Sequence, residues 1–160
     1  MRETLKLRRL SFGAPAAVIT SMALLVGLDA ATARKATVAG SLLIAGLADN
    51  LTDSLSVHIY QESERMPQSL AFRTTAANFF ARLVISLSFI VLFLTLPAMV
   101  AVYACVLWGF FVLSWLSYLL AKARHVSPLA EIYKHAGVAA LALLLSKVIG
   151  TVIQRIEEIC

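Results

Sequence analysis

The stretch LVISLSFIVLFLTLPAMVAVYACVLWGFFVLSWLSYLLA, Leu83 to Ala121, runs for 39 residues without a charge. About 20 apolar residues cross the hydrocarbon core of a bilayer, so this run is too long for one helix and suits a tight hairpin of two. Pro97, in "LTLPAMV", marks the turn, because proline pushes the residue before it out of the helical region.

Further uncharged runs extend from Leu10 to Leu28, from Ala36 to Ala48, and from Ala136 to Ser146, the last resuming after Lys147. The fold class expected is all-α: an integral membrane protein with five transmembrane helices at about 11-30, 36-60, 75-96, 99-121 and 135-154, in a single domain spanning 1-160. Composition agrees, since 60% of the 160 residues are hydrophobic and 14% charged, too little polar surface for a water-soluble domain of this size. The longest polar connection is "QESERMPQSLAFR", and no second soluble domain is expected.

Cytoplasmic loops hold an excess of Lys and Arg. Arg2, Lys6, Arg8 and Arg9 precede the first span, Arg65 and Arg73 follow the second, and Lys122, Arg124 and Lys134 follow the fourth; the opposite side holds Arg34, Lys35 and Arg155. The amino end is therefore expected in the cytoplasm and the carboxyl end outside, in the cell membrane if the source is prokaryotic. The net charge of +5 reads as a topology signal and not as a nucleic-acid footprint. Ala31-Thr32-Ala33 has the small-x-small form of a signal cleavage site, but the preceding run is longer than a signal core and holds Pro15 near its start, so it reads as a retained span. Cys105 lies mid-span and Cys160 ends the chain, so no disulfide or Cys-based zinc site is expected.

The stretch "GLADNLTDSLSVHIYQESE", Gly46 to Glu64, sets two aspartates in the second span. Asp49, Asp53, Ser56 and Tyr60 fall on one helical face, while Leu43, Leu47, Leu51, Leu55 and Ile59 recur every fourth residue on the other. A lipid-facing aspartate costs at least about 2.5 to 3.5 kcal/mol near the bilayer centre, so the acidic face must meet protein, water or an ion. Two carboxylates one turn apart bridge a divalent cation or share a proton, and Asn50, Ser54 and His58 flank them with further ligand atoms. The competing reading is a static ion pair that fixes helix packing. Lys147 is its first candidate and Arg82 its second, although Lys147 sits roughly 9 Å from the outer end of its helix and Arg82 near the start of its span, where either side chain snorkels. Glu62 and Glu64 form a cation-collecting cytoplasmic entrance or a solvated helix end. Asp29, beside Arg34 and Lys35, forms a helix-end ion pair or an exit ligand. Ala14, Ala17 and Ser21 in the first span, with Ser41 and Ala45 in the second, permit close helix approach.

"FGAPAAVIT", then "GLADNLTDSLSV" and "YQESE", resembles the first two spans of the vacuolar iron transporter family. Phe12, Gly13, Thr20, Gly46, Leu47, Ala48, Asp49, Ser56, Tyr60, Ser63 and Glu64 fit the family outline, and "SPLAEIYKHAGVAALALLLSKVIGTVI" resembles its fifth span and the approach to it. The resemblance implies a five-helix homodimer that carries ferrous or manganese ions out of the cytosol in exchange for protons, between first and second spans of both protomers, with Asp49 at the acid position. Three departures stand out. Ala16-Ala17 replaces an Asp-Gly pair and removes a metal ligand, Val57 replaces a methionine whose soft thioether favours iron, and the segment from Ser56 to Glu64 is about a turn shorter, without the family's cytosolic ion-collecting insertion. Asp53 and His58 are the candidate replacements.

The leading expectation is thus a divalent metal transporter, iron or manganese by resemblance, with metal site Asp49, Asp53 and His58 and no permanently bound cofactor. The alternative is a non-transporting membrane module. An enzyme is not expected, because His58, His125 and His135 fall on separate segments and no nucleophile motif is present.

Overall fold

A computed structural model describes residues 13–159. It is all-helical among them: α1 (Ala14–Ala30), α2 (Lys35–Ser63), α3 (Gln68–Thr95), α4 (Ala98–Ala123) and α5 (Pro128–Ile159). The helices follow the expected segments, with two differences: α5 starts at Pro128 and ends at Ile159, beyond the expected 135-154 on both sides, and the α2–α3 connection is shorter. Most of "QESERMPQSLAFR" is helical rather than a polar loop, so α2 and α3 run on toward each other until only residues 64–67 join them.

Proline placement explains why the helices are continuous. All four prolines stand at helix starts: Pro15 in the first turn of α1, Pro67 and Pro97 as N-caps of α3 and α4, and Pro128 as the first residue of α5. There the missing N–H has no intrahelical partner to lose, and no helix interior carries a proline to kink it. Pro97 marks the α3–α4 turn, as the sequence requires. The other three junctions share one stop signal. Thr32, Arg65 and His125 adopt positive φ, and the next residue donates back five positions, Ala33 N–H to Leu28 O, Met66 N–H to Gln61 O and Val126 N–H to Ala121 O, at 3.0 to 3.1 Å. This is the Schellman closure, here made without glycine.

Helix α1 is central and touches the other four. Its small residues permit that: Ala14, Ala17 and Ser21 are buried together with Val18, Met22 and Leu25. Two glycines bring neighbours in closely. A Cβ at Gly150 of α5 would fall on the Gly27 carbonyl oxygen of α1, and one at Gly109 of α4 would fall on the Met22 sulfur. The most extensive pairing is the α2–α3 hairpin, followed by α1 against α5.

Helices α3, α4 and α5 are long and apolar enough to cross a membrane; α1 is apolar but only 17 residues long. Large apolar side chains cover the outside, among them Leu43, Leu47, Leu51, Leu55 and Ile59 on α2, the face expected to lie away from protein. These features are those of a helical membrane protein, whose exterior is apolar because its solvent is lipid. The α3–α4 junction is closed by a cation: Lys35 Nζ donates to Leu94 O at 3.0 Å and Leu96 O at 2.7 Å, the free carbonyls at the end of α3.

Candidate functional site

Arg82 stands midway along α3 and is 2% exposed, among the most buried side chains of the fold. The sequence placed it near the start of its span, from where it would snorkel. The structure corrects this: α3 begins at Gln68, so Arg82 is fourteen residues in, about 21 Å along the helix. Its guanidinium joins three segments. Nε donates to Asn50 Oδ1 of α2 at 2.7 Å, Nη1 donates to Gly13 O at the start of α1 at 2.9 Å, and Nη1 also pairs with the Asp53 carboxylate of α2. Gly13 is required by this approach, because a Cβ there would lie 2.6 Å from both Arg82 Cδ and Asn78 Oδ1.

The basic partner of Asp53 is therefore Arg82 and not Lys147. Lys147 lies on α5, exposed, and takes part in no ion pair among the described residues. Asp29 is exposed and likewise unpaired among the described residues, since Lys35 is engaged with the α3 carbonyls instead.

Asp49, midway along α2, lines a small cleft with Ala17, Thr20 and Ser21 of α1 and with Asn50, Arg82 and Ser86. The cleft has room for about one water molecule. Ala17, from the pair that replaces an Asp-Gly in the resembled family, faces into it. Asp49 and Asp53 thus differ: Asp53 is neutralised by a guanidinium, and Asp49 lies beside that guanidinium without a bonded cation of its own among the described residues.

His58 does not join the two aspartates. Its Nε2 lies 3.4 Å from Glu62 Oε1, one turn further along α2, and its Nδ1 is buried with no partner among the described residues. Glu62 and Glu64 are exposed at the end of α2, and Ser56 and Tyr60 of the expected polar stripe are exposed too, Ser56 being bonded to Thr52 O of its own helix. Among the described residues no three His, Cys, Asp or Glu side chains gather as a metal-binding group requires. Phe12, the amino-terminal Arg and Lys residues and Cys160 lie outside the described residues.

Which polar residues does α2 turn inward? Asn50, Ser54 and Gln61 are buried, as are Asn78, Arg82 and Ser86 of α3, and Asn50 is bonded to Arg82. This row is rotated by about one residue from the aspartate stripe, roughly 100° around the helix. The sequence reading missed Gln61, Thr75, Asn78 and Ser86. The available signal was their spacing: 75, 78, 82 and 86 on α3 advance by three and four, as do 50, 54, 58 and 61 on α2.

A second polar cluster ties α4 to α5. Ser117 Oγ donates to Leu113 O at 2.6 Å and meets His135 Nδ1 at 2.8 Å, which makes Nδ1 the donor to Ser117. His135 Nε2 then faces Glu131 at 3.8 Å, and Glu131 also bonds Lys134 at 3.1 Å. Ser117 itself is buried on the side of α4 that meets α5.

Comparison of the chain with protein-family models, with curated proteins and with solved structures gives no match.

Proposed function

We propose that this chain is an integral membrane protein that crosses the bilayer five times, amino end in the cytoplasm and carboxyl end outside, and moves a cation past the inner face of α2. The carrying observation is Asp49: a carboxylate midway along its helix, lining a small, mostly apolar cleft between α1, α2 and α3 that it shares with Arg82. An intramembrane acid with no bonded cation among the described residues marks a functional site, because its charge is costly to keep in lipid, and passage of a cation is the role we assign to it. The residues alone support a small cation. The divalent class, iron or manganese, the exchange for protons and the homodimer come from the resemblance of the first two and the last spans to vacuolar iron transporters.

Arg82 gives this reading its mechanism. The guanidinium holds Asp53 and stands beside Asp49, so it serves as the resident counter-charge when no cargo is bound. A divalent ion bridging Asp49 and Asp53 must displace Arg82, since cation and guanidinium compete for the same oxygens. His58 is not within this pair; it belongs to the end of α2 with Glu62, and its place in the scheme is at the entrance.

A second reading is supported by the same arginine. Bonds from Arg82 to Asn50, Asp53 and Gly13 hold three helical segments together, as a purely structural ion pair does in a non-transporting module. Flux into proteoliposomes separates the two. Ferrous, manganous, cobalt and zinc ions are offered to vesicles holding the native chain or the Asp49→Asn, Asp53→Asn double variant. Transport predicts uptake by the native chain and its loss in the variant. Uptake unaffected by the double change rejects this site, and no uptake by a folded native chain leaves the structural module.

A further inference from the structure

The cleft between α1, α2 and α3 holds a charge sum that bears on its cargo. Asp49 and Arg82 are the only charged residues that line it among the described residues, and much of its wall is apolar, with Leu24, Leu42 and Ala45. Arg82 is matched one to one by the Asp53 carboxylate, so that pair is neutral and Asp49 leaves the site with a single negative charge. In so apolar a setting an unmatched charge is heavily penalised, and the balance between site and cargo has to be close.

Arg82 is fixed in that sum. It is 2% exposed, and two of its three bonds go to neutral oxygens, Asn50 Oδ1 at 2.7 Å and Gly13 O at 2.9 Å, which hold it whether or not Asp53 is engaged. It stands roughly 20 Å from either end of α3, too far for its side chain to snorkel to a surface. A divalent ion bridging Asp49 and Asp53 would have to drive the guanidinium off both anchors.

The hydroxyls of the cleft supply the remaining ligands. Ser21 and Ser86 line it and are 4% and 5% exposed. With Thr20, they make no hydrogen bond among the described residues, whereas Thr52 and Ser56 elsewhere on α2 bond back to carbonyls of their own helix at 2.9 Å. A buried hydroxyl is costly to leave unpaired. These oxygens and the Asp49 carboxylate are hard donors, and no His, Cys or Met lines the cleft. Its room for about one water molecule admits an ion stripped of most of its hydration shell.

We infer that this site takes a small monovalent cation of sodium's class, held by Asp49 and the three hydroxyls while the Asp53–Arg82 pair stays intact. The inference rests on the transport reading for the ion's movement and departs from its divalent class, which the resemblance alone supplies. One positive charge neutralises Asp49, whereas a divalent ion leaves a surplus charge in the membrane interior unless Arg82 goes. Arg82 is thus a selectivity-determining residue, because its charge removes one carboxylate from those open to cargo.

Two measurements test it. Melting of the native chain in detergent is compared in sodium chloride and in choline chloride at equal ionic strength. Sodium is expected to raise the melting temperature of the native chain and not that of Asp49→Asn; an undiminished shift in the variant overturns the site. In proteoliposomes, uptake of radioactive sodium is expected to exceed manganese uptake at least tenfold at equal concentration, and to fall at least tenfold in Asp49→Asn. Manganese uptake without sodium uptake overturns the inference and keeps the transport reading. Sodium-dependent stabilisation without uptake of either ion keeps the ion site and rejects transport, and neither stabilisation nor uptake overturns both. Arg82→Gln opens the second carboxylate and is expected to turn the preference toward manganese; a variant of native helix content that still prefers sodium overturns the charge argument.

Discussion

Asp53 and Arg82 form an ion pair whose members are unequally buried: the Asp53 side chain is 46% exposed and that of Arg82 is 2%. The arginine is therefore the member whose isolation is costly. Asp53→Asn leaves it bonded to Asn50 and Gly13, and the new amide oxygen still accepts. Arg82→Gln removes the charge that joins three segments. We expect the arginine change to cost about 2 to 3 kcal/mol, below the usual figure for a buried pair because Asp53 is partly hydrated, and the aspartate change less than half of that. Thermal unfolding in detergent, with the double variant to close the cycle, measures both; equal losses would show that the pair is not anchored from the arginine side.

Glycine contacts differ in what would have to yield. At Gly150 an added methyl meets the Gly27 backbone, which cannot move without shifting α1, whereas at Gly40 nothing lies within 4 Å. Gly150→Ala is expected to cost about 2 kcal/mol or more through overpacking. Gly40→Ala is expected to stabilise by about 0.5 to 1 kcal/mol through helix propensity. Opposite signs in melting temperature confirm the close α1–α5 approach; a neutral Gly150→Ala rejects it.

Lys35 closes the end of α3 from another helix. Replacing it by Met keeps the stem and removes the donor, at an expected cost of about 1 kcal/mol, and Arg should recover most of that. Amide hydrogen exchange of residues 92–96 is the local readout, with faster exchange in Lys35→Met and near-native exchange in Lys35→Arg.

Thr32 holds a positive φ of 56° at the stop of α1, a conformation unfavourable for a β-branched residue. Thr32→Gly is expected to stabilise the fold by about 1 kcal/mol, the relief exceeding the entropy glycine adds to the unfolded chain. A drop in melting temperature would mean that the threonine side chain contributes something this backbone does not reveal.

Leu55 is 59% exposed on α2, about 100° around the helix from the polar row. If α2 spans the bilayer, Leu55→Arg puts a charge in lipid at about 2.5 to 3.5 kcal/mol, and yield in membranes should fall well below that of Leu55→Ala. Equal membrane yield of the two would place that face in water.

Helix positions were legible because apolar runs and proline are strong local signals: the uncharged stretch from Leu83 to Ala121 has one proline, and the turn lies there. The outward face of α2 was legible for the same reason, five aliphatic residues at every fourth position. Its inward face was not. Aspartates drew the stripe toward Asp49, Asp53, Ser56 and Tyr60, while packing is decided by neutral Asn50, Ser54 and Gln61, which tolerate burial against α3 better than a carboxylate does. Arg82 was misplaced because the start of α3 lies in the polar "QESERMPQSLAFR", whose helicity is set by the Pro67 cap and by pairing with α2 rather than by hydropathy.

The short junction at residues 64–67 bears on biogenesis. Helix α2, with two acids at its centre, is not among those apolar enough to partition into lipid alone, whereas α3 is. If α2 spans the bilayer, a junction this short is expected to bring the two in as one hairpin, in which the guanidinium of α3 cancels the carboxylate of α2 before either meets hydrocarbon. Lengthening the junction would separate the charges during synthesis and should raise degradation of the nascent chain even where the finished fold is unharmed.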